Sequence, residues 1–147
     1  MATARLGVTI QRPVRDVFAV LTDVENVPRW SRSTIEETML TPGPMRVGSR
    51  RRAVIRSFAG RTMTNEAEMI GFEPDRRMAV DVSGSRIPVR IVIDFLPADH
   101  GTLLDWTAEF SPGGWLKPAG PLMAAFYRVM FQQDLDNLKA LMESRQL

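Results

Sequence analysis

The 147-residue sequence contains no cysteine, one histidine and no long uninterrupted apolar run. The absence of cysteine excludes disulfide bonds, thiolate nucleophiles and cysteine-ligated metals. The single histidine, His100, is placed in a predicted turn, so we predict no metal site and no cofactor. No apolar stretch is long enough to span a bilayer, and the N-terminus has no signal-peptide core. We therefore predict a cytoplasmic protein without an integral membrane segment.

Strong net charge is also missing. Lys and Arg number 19 against 17 Asp and Glu, a net charge of +2, so no nucleic-acid partner is predicted. The run Arg50, Arg51 and Arg52 is the one basic cluster, and strand alternation turns Arg51 away from the other two. The cluster is either a solvated outer face paired with acids such as Glu66 and Glu68, or a patch that binds phosphate or anionic lipid.

Two short helices are predicted close to the N-terminus. Val14, Val17 and Phe18 have helical spacing, and a proline before them suits the first helical turn. Asp23 is a suitable cap for a second helix. That helix ends near Trp30, which we interpret as a wedge between the helices and the sheet or as a residue at a cavity entrance.

The middle of the chain shows alternating patterns separated by turn residues. In one segment, Val89, Ile91 and Ile93 alternate with Arg90 and Asp94, which is typical of a sheet with one apolar face. The only long helical pattern left to cover that face spans 122–142. The predicted antiparallel strands span 6–10, 35–41, 49–58, 61–72, 78–83, 88–96 and 102–110.

A bent sheet and a straight helix diverge along their length, and a cavity opens there unless bulky side chains fill it. The inward residues of the middle strands are modest in bulk, and methionines in the first half of the long helix would make an adaptable apolar lining. The predicted ligand-binding residues are Trp30, Ala53, Ile55, Met63, Asn65, Ala67, Met69, Val80, Val82, Ile91, Trp106, Trp115, Met123, Phe126, Tyr127 and Met130.

Few of these residues can move protons. Nucleophile elbows, phosphate-binding glycine loops and dinucleotide fingerprints are absent from the sequence. The catalytic candidates are Tyr127, the single tyrosine, and Asn65, and each has a plain structural interpretation as a core residue. Arg51 and Ser57 are further polar residues that can reach inward. Trp115 is either a lid over the cavity or a staple for the last helix.

The motifs Pro-Val-Arg-Asp-Val-Phe at 13–18 and Thr-Asp-Val-Glu-Asn-Val-Pro-Arg-Trp-Ser at 22–31 are followed by the segments 46–49, 71–78, 101–106 and 138–143. In this order they resemble the polyketide cyclase/dehydrase family of the START-like (SRPBCC) helix-grip superfamily. The resemblance implies an α+β fold in which a seven-stranded curved antiparallel sheet wraps around a long C-terminal helix, with two short helices after the first strand. One domain is expected over residues 1–147.

The resemblance and the cavity leave three functions open. The first is binding of a hydrophobic small molecule, such as a lipid, a quinone or a polyketide-like compound, by a monomer or homodimer. The second is a metal-independent cyclase, aromatase or dehydratase that uses the same cavity. The third is a protein-interaction module with a vestigial pocket. Few titratable groups are predicted inside, which favours the first over the second, and convergent polar groups in the cavity would favour an enzyme.

Overall fold

The computed structural model describes residues 2–56, 58–84 and 87–147. Two predictions fall outside this part of the chain: Ser57, which was expected to reach inward, and Ser85, one of the turn residues that separate the predicted strands. The described residues form three α-helices, α1 (Val14–Thr22), α2 (Val27–Trp30) and α3 (Gly120–Glu143). The strands are β1 (Ala2–Ile10), β2 (Thr34–Met39), β3 (Arg50–Arg56), β4 (Thr62–Glu73), β5 (Arg77–Ser83), β6 (Val89–Ala98) and β7 (Gly101–Phe110).

The seven strands form one open antiparallel sheet in the order β1-β7-β6-β5-β4-β3-β2. This confirms the predicted helix-grip architecture. The chief departure is β1, which starts at Ala2 rather than near residue 6. Ala2 and Ala4 are buried in its first half, and alanine gives a weak alternation signal because it is small. The pairing of β1 with β7 is continuous from Ala2 to Ile10.

Helix α3 lies across the sheet, and its second half is hydrogen-bonded to the C-terminal half of β1. Gln132 donates a hydrogen bond to the Gly7 carbonyl at 3.0 Å, and Lys139 donates one to the Thr9 carbonyl at 2.6 Å. The apolar stripe of the helical pattern predicted over 122–142 faces the sheet. Its second half is completely buried at Leu135, Leu138 and Met142, while its first half, with Tyr127 and Phe131, is only partly buried.

Helix α1 fills the space under the far end of the sheet. The Phe18 ring meets the Phe72 ring edge-on at 5.4 Å between centroids and the Phe95 ring at 5.0 Å. Asp23 accepts a hydrogen bond from the Glu25 amide at 3.0 Å, so it caps the short 3₁₀ turn Val24–Asn26 that directly precedes α2. The Phe18, Phe72 and Phe95 rings therefore close the core at the α1 end.

Candidate functional site

A cavity of about 500 Å³ lies between the first half of α3 and the inner face of the sheet. Its wall is mostly aliphatic and aromatic, with a small number of polar side chains. Phe126 and Met130 line it and are also 66% and 46% exposed, so they mark its mouth. A cavity of this size and character is typical of sites that bind small molecules.

Small side chains on neighbouring strands create this space. Ala53 on β3 is the register partner of Asn65 on β4, and Ala67 on β4 pairs with both Arg51 and Val82. The two alanines leave room for the longer Arg51 side chain and for the cavity. The predicted residues that line the cavity are Trp30, Ala53, Ile55, Met63, Asn65, Ala67, Val82, Ile91, Trp106, Met123, Phe126, Tyr127 and Met130.

The structure places three predicted binding residues outside the cavity wall. Met69 and Val80 are register partners further along the sheet, 2% and 3% exposed, where the closed core already surrounds them. Trp115 is 83% exposed and lies in the 3₁₀ segment Gly114–Ala119. The sequence pattern did not predict this segment. Strand alternation assigns a residue to a face of the sheet but does not say how far along the sheet the packed core extends.

A stacked aromatic group forms one wall of the cavity. The Tyr127 and Phe131 rings are 4.8 Å apart and nearly parallel, and Trp106 leans on Phe131 at the same distance. Trp106 Nε1 donates a hydrogen bond to the Tyr127 hydroxyl at 3.1 Å. Burial raises the pKa of Tyr127 despite this bond, so its hydroxyl stays protonated at neutral pH. The hydroxyl proton has no acceptor among the described residues.

Tyr127→Phe should therefore lower the free energy of unfolding by about 1–2 kcal/mol, because it removes the acceptor of the buried Trp106 N–H. Chemical denaturation of Tyr127→Phe, Trp106→Phe and the double variant measures this effect. The loss of stability in the double variant should be smaller than the sum of the two single losses, because without the Trp106 N–H the Tyr127 hydroxyl no longer accepts a hydrogen bond. Strictly additive losses would show that the hydrogen bond does not contribute.

An ion pair lies in the cavity wall at β2 and β3. Arg51 Nε is 2.8 Å from Glu37 Oε1, and their side chains are 18% and 5% exposed. Burial raises the pKa of Glu37, while the charge of Arg51 lowers it by a smaller amount. On the outer face, Arg50 pairs with Glu66 at 2.8 Å. This ion pair is the arrangement expected if the arginine cluster is a solvated outer face paired with acidic residues.

A second buried carboxyl group lies where α3 meets the loop after α2. Asp134 accepts hydrogen bonds from the Ser31 hydroxyl at 3.3 Å and the Arg32 amide at 3.2 Å, and Ser31 also contacts the Thr34 hydroxyl at 3.0 Å. Burial raises the pKa of Asp134, and the hydrogen bonds and the charge of Arg32 oppose this shift. Asp134 is 5% exposed and contributes to the cavity wall.

Glu37 and Asp134 are site residues that the sequence analysis missed. A β-bulge between Thr34 and Glu36 turns Ile35 outward and Glu37 inward, and no residue type signals that bulge. Asp134 did carry a signal, since it follows Tyr127 and Phe131 at helical spacing within the apolar stripe. The expectation of few titratable groups inside is thus corrected: Glu37, Arg51 and Asp134 all line the cavity.

The described residues also bear on two other kinds of feature, a metal centre and a membrane-spanning helix. They contain no group of three or more His, Asp or Glu side chains that could bind a metal ion. None of their helices is long and apolar enough to cross a membrane.

The sequence model of a family described as polyketide cyclase/dehydrase and lipid transport matches residues 1–143. No match to a curated protein was found. Among solved structures, DR_A0006 from Deinococcus radiodurans is 24% identical, with 97% of this chain and 98% of that chain covered and a TM-score of 0.70. CV1439 from Chromobacterium violaceum is 20% identical, with 97% and 99% covered and a TM-score of 0.76.

A third similar structure is the di-domain ARO/CYC BexL from the BE-7585A biosynthetic pathway. It is 15% identical, with 97% of this chain and 47% of that chain covered and a TM-score of 0.80. At these identities the likeness to solved structures establishes the shared fold and nothing finer.

Proposed function

Because the chain belongs to the polyketide cyclase/dehydrase and lipid transport family, we propose that it binds a hydrophobic small molecule in the cavity between the sheet and α3. The ligand is of the lipid, quinone or polyketide-like class, and the protein acts in the cytoplasm as a monomer or homodimer. The observation that supports this most is the cavity itself, about 500 Å³ with a mainly apolar wall. Its volume lies within the range of known small-molecule sites. An open cavity of this size counts against a vestigial pocket.

Adjacent positions on α3 provide a matched test. Met123 lines the cavity, whereas its neighbour Leu122 is 75% exposed and lies outside the wall. A solvent-sensitive apolar dye should bind the wild type with a micromolar dissociation constant, about −8 kcal/mol. Met123→Trp should weaken binding by at least about tenfold, because the larger ring takes up ligand space, and Leu122→Trp by less than about twofold. Fluorescence titration measures both, and equal effects of the two variants would place the dye elsewhere.

The buried carboxyl groups favour a second candidate function, an enzyme of the cyclase or dehydratase type. Glu37 and Asp134 converge on the cavity, and burial raises the pKa of each toward the range useful for proton transfer near neutral pH. Such a carboxylate removes a proton next to a ligand carbonyl, and the resulting enolate oxygen accepts a hydrogen bond from Arg51. For ring closure, the enolate carbon forms a bond to a second carbonyl carbon of the folded substrate, and the same carboxyl group gives the proton to the oxygen of that second carbonyl. In a ketone with no second carbonyl, the proton returns to carbon, which is the exchange reaction.

Exchange of α-protons tests this second candidate without knowledge of the substrate. An enolisable apolar ketone is incubated with the protein in deuterium oxide, and deuterium uptake is followed by mass spectrometry. An enzyme of this type should accelerate exchange, and Glu37→Gln or Asp134→Asn should reduce the acceleration by about a hundredfold. Glu36→Gln, at the exposed neighbouring position, is the control. Exchange no faster than in buffer would leave binding as the sole function.

A further inference from the structure

The first half of α3 exposes large apolar side chains to solvent. Leu122, Phe126 and Val129 are 75%, 66% and 62% exposed, and their helical spacing places them on one face of the helix. The opposite face is apolar as well, because it packs on the sheet and lines the cavity. Among residues 120–131, only Arg128 is charged. A helical segment that is apolar all round is typical of surroundings that are apolar on both sides.

Two further residues extend this surface. Trp115 is exposed in the 3₁₀ segment that leads directly into α3, and Met130 is exposed beside the cavity mouth. An indole side chain is amphipathic and favours the boundary between water and an apolar phase. Exposed apolar side chains gathered in one region mark sites of interaction with a protein or a membrane. The apolar face consists of Trp115, Leu122, Phe126, Val129 and Met130.

The part of the chain that builds the apolar face carries positive charge only. Residues 110–133 contain Lys117 and Arg128 but no Asp or Glu. Both cations are exposed, and neither forms an ion pair with a described residue. The other lysine of the chain, Lys139, pairs with Glu143 at 2.7 Å. The charges beside the apolar face therefore complement an anionic partner.

A second positive stretch borders the same cavity. Residues 38–65 also lack Asp and Glu. Within this stretch, Ile55 and Met63 are register partners next to the turn between β3 and β4, and both line the cavity. Arg61 is exposed in that turn, just beyond these lining residues. Positive charge thus accompanies the cavity on the sheet side as well as on the α3 side.

These features together favour a lipid bilayer over other occupants of the apolar face. A symmetric dimer through this face would bring Lys117 and Arg128 of one copy toward the same cations of the other, which is unfavourable. A bilayer with anionic lipids offers acyl chains to the apolar side chains and negative head groups to the cations.

We propose that the first half of α3 docks on the surface of an anionic lipid bilayer, with the apolar face in the head-group region and with Lys117 and Arg128 at the head groups. This surface binding goes beyond the proposed function and does not depend on it, because Trp115, Leu122 and Val129 lie outside the cavity wall. Phe126 and Met130 belong to both, so docking turns the cavity mouth toward the lipid.

Vesicle flotation measures the docking directly. The wild-type protein is mixed with vesicles of phosphatidylcholine alone or with vesicles in which about one third of the lipid is phosphatidylglycerol. It should bind the anionic vesicles at least about tenfold more tightly than the neutral ones, since each cation near the surface adds to the attraction. Added salt should weaken this binding, because it screens the charges.

Leu122→Gln/Val129→Gln tests the apolar contribution. Binding to anionic vesicles should fall by at least about tenfold, because two apolar side chains no longer enter the bilayer. The affinity for the apolar dye should stay within about twofold of the wild type, since neither residue lines the cavity. The control is Leu96→Gln/Leu103→Gln, a register pair on the outer face of the sheet that is 43% and 37% exposed. This control should float like the wild type.

Lys117→Gln/Arg128→Gln tests the electrostatic contribution. Binding to anionic vesicles should fall by at least about tenfold, and the preference over neutral vesicles should disappear. The matched control is Arg15→Gln/Arg76→Gln, which removes the same charge from exposed positions on α1 and in the turn between β4 and β5. Its binding should change by less than about twofold.

The outcomes separate this inference from the proposed function. A wild-type protein that floats with neither vesicle, or two test variants that bind like their controls, would overturn the docking even if the dye occupies the cavity. Vesicle binding with the expected losses, but without dye binding, would support the docking while the proposed function fails. Sedimentation velocity without lipid covers the remaining occupant: a dimer that Leu122→Gln/Val129→Gln dissociates would assign the apolar face to a second copy and overturn the inference.

Discussion

Arg51→Met should lower the free energy of unfolding by about 3 kcal/mol at neutral pH, because it leaves the Glu37 carboxylate buried without its cation. The Glu37 side chain is 5% exposed, so water would solvate its carboxylate much less than it solvates a carboxylate at the surface. Glu37→Gln/Arg51→Met should recover most of the loss, since the glutamine carries no charge. Arg52→Met on the outer face should change stability by less than about 0.5 kcal/mol.

The loss caused by Arg51→Met should depend on pH in a definite direction. Burial raises the pKa of Glu37, and Arg51 opposes that rise, so removing Arg51 raises the pKa further. A carboxyl group with a raised pKa in the folded state contributes stability below its unfolded pKa and loses it as the pH rises through the folded value. The deficit of the variant should therefore be small in acid and grow toward neutral pH.

Urea denaturation of wild type and Arg51→Met at several pH values, from about pH 4 to pH 7.5, measures this dependence. The control is Glu37→Gln/Arg51→Met, whose deficit should be nearly independent of pH. A deficit of equal size at every pH, or one that Glu37→Gln does not relieve, would show that Arg51 acts through packing rather than through the Glu37 charge.

Ala67→Trp should reduce dye binding by at least about a hundredfold, which corresponds to about 2.7 kcal/mol. Ala67 lies on the inner face of β4 beside Arg51 and Val82, and an indole at this position projects into the cavity. The protein should remain folded, since the ring occupies existing space instead of displacing packed atoms. Fluorescence titration and thermal unfolding measure the two effects.

Thr64→Trp is the control for this substitution. Thr64 is exposed on the outer face of the same strand, so its tryptophan adds the same surface without entering the cavity. Dye binding by Thr64→Trp should match the wild type. Unchanged binding by a folded Ala67→Trp would mean that the dye does not occupy the cavity.

The fold was accessible from the sequence because its elements carry strong periodic signals. The helical spacing of Leu135, Leu138 and Met142 and the alternation in β6 both mark faces that are buried in the structure. The first half of β1 was missed because Ala2 and Ala4 contribute little hydrophobic contrast. Turn and 3₁₀ geometry around Trp115 depends on local backbone conformation that side-chain patterns do not encode.

Only part of the candidate site could be predicted from the sequence, and the reasons are physical. Small inward residues such as Ala53 and Ala67 predicted a cavity, and both line it. Glu37 was not recognised because a charged residue in a strand is normally exposed, and only the bulge in β2 and the approach of Arg51 make its inward position tolerable. These long-range contacts are set by strand register, which is invisible in a local sequence window.

Methionine methyl groups offer the most direct test of the claim that a hydrophobic molecule occupies the cavity. The chain has nine methionines, of which Met63, Met78, Met123 and Met130 line the cavity, while Met69 and Met142 are buried elsewhere. In a titration of ¹³C-methyl-methionine protein with methyl undecyl ketone, the signals of the four cavity methionines should shift in proportion to occupancy. Those of Met69 and Met142 should hardly move. Saturating ketone that leaves the four cavity signals in place, or shifts the buried controls instead, would contradict the account.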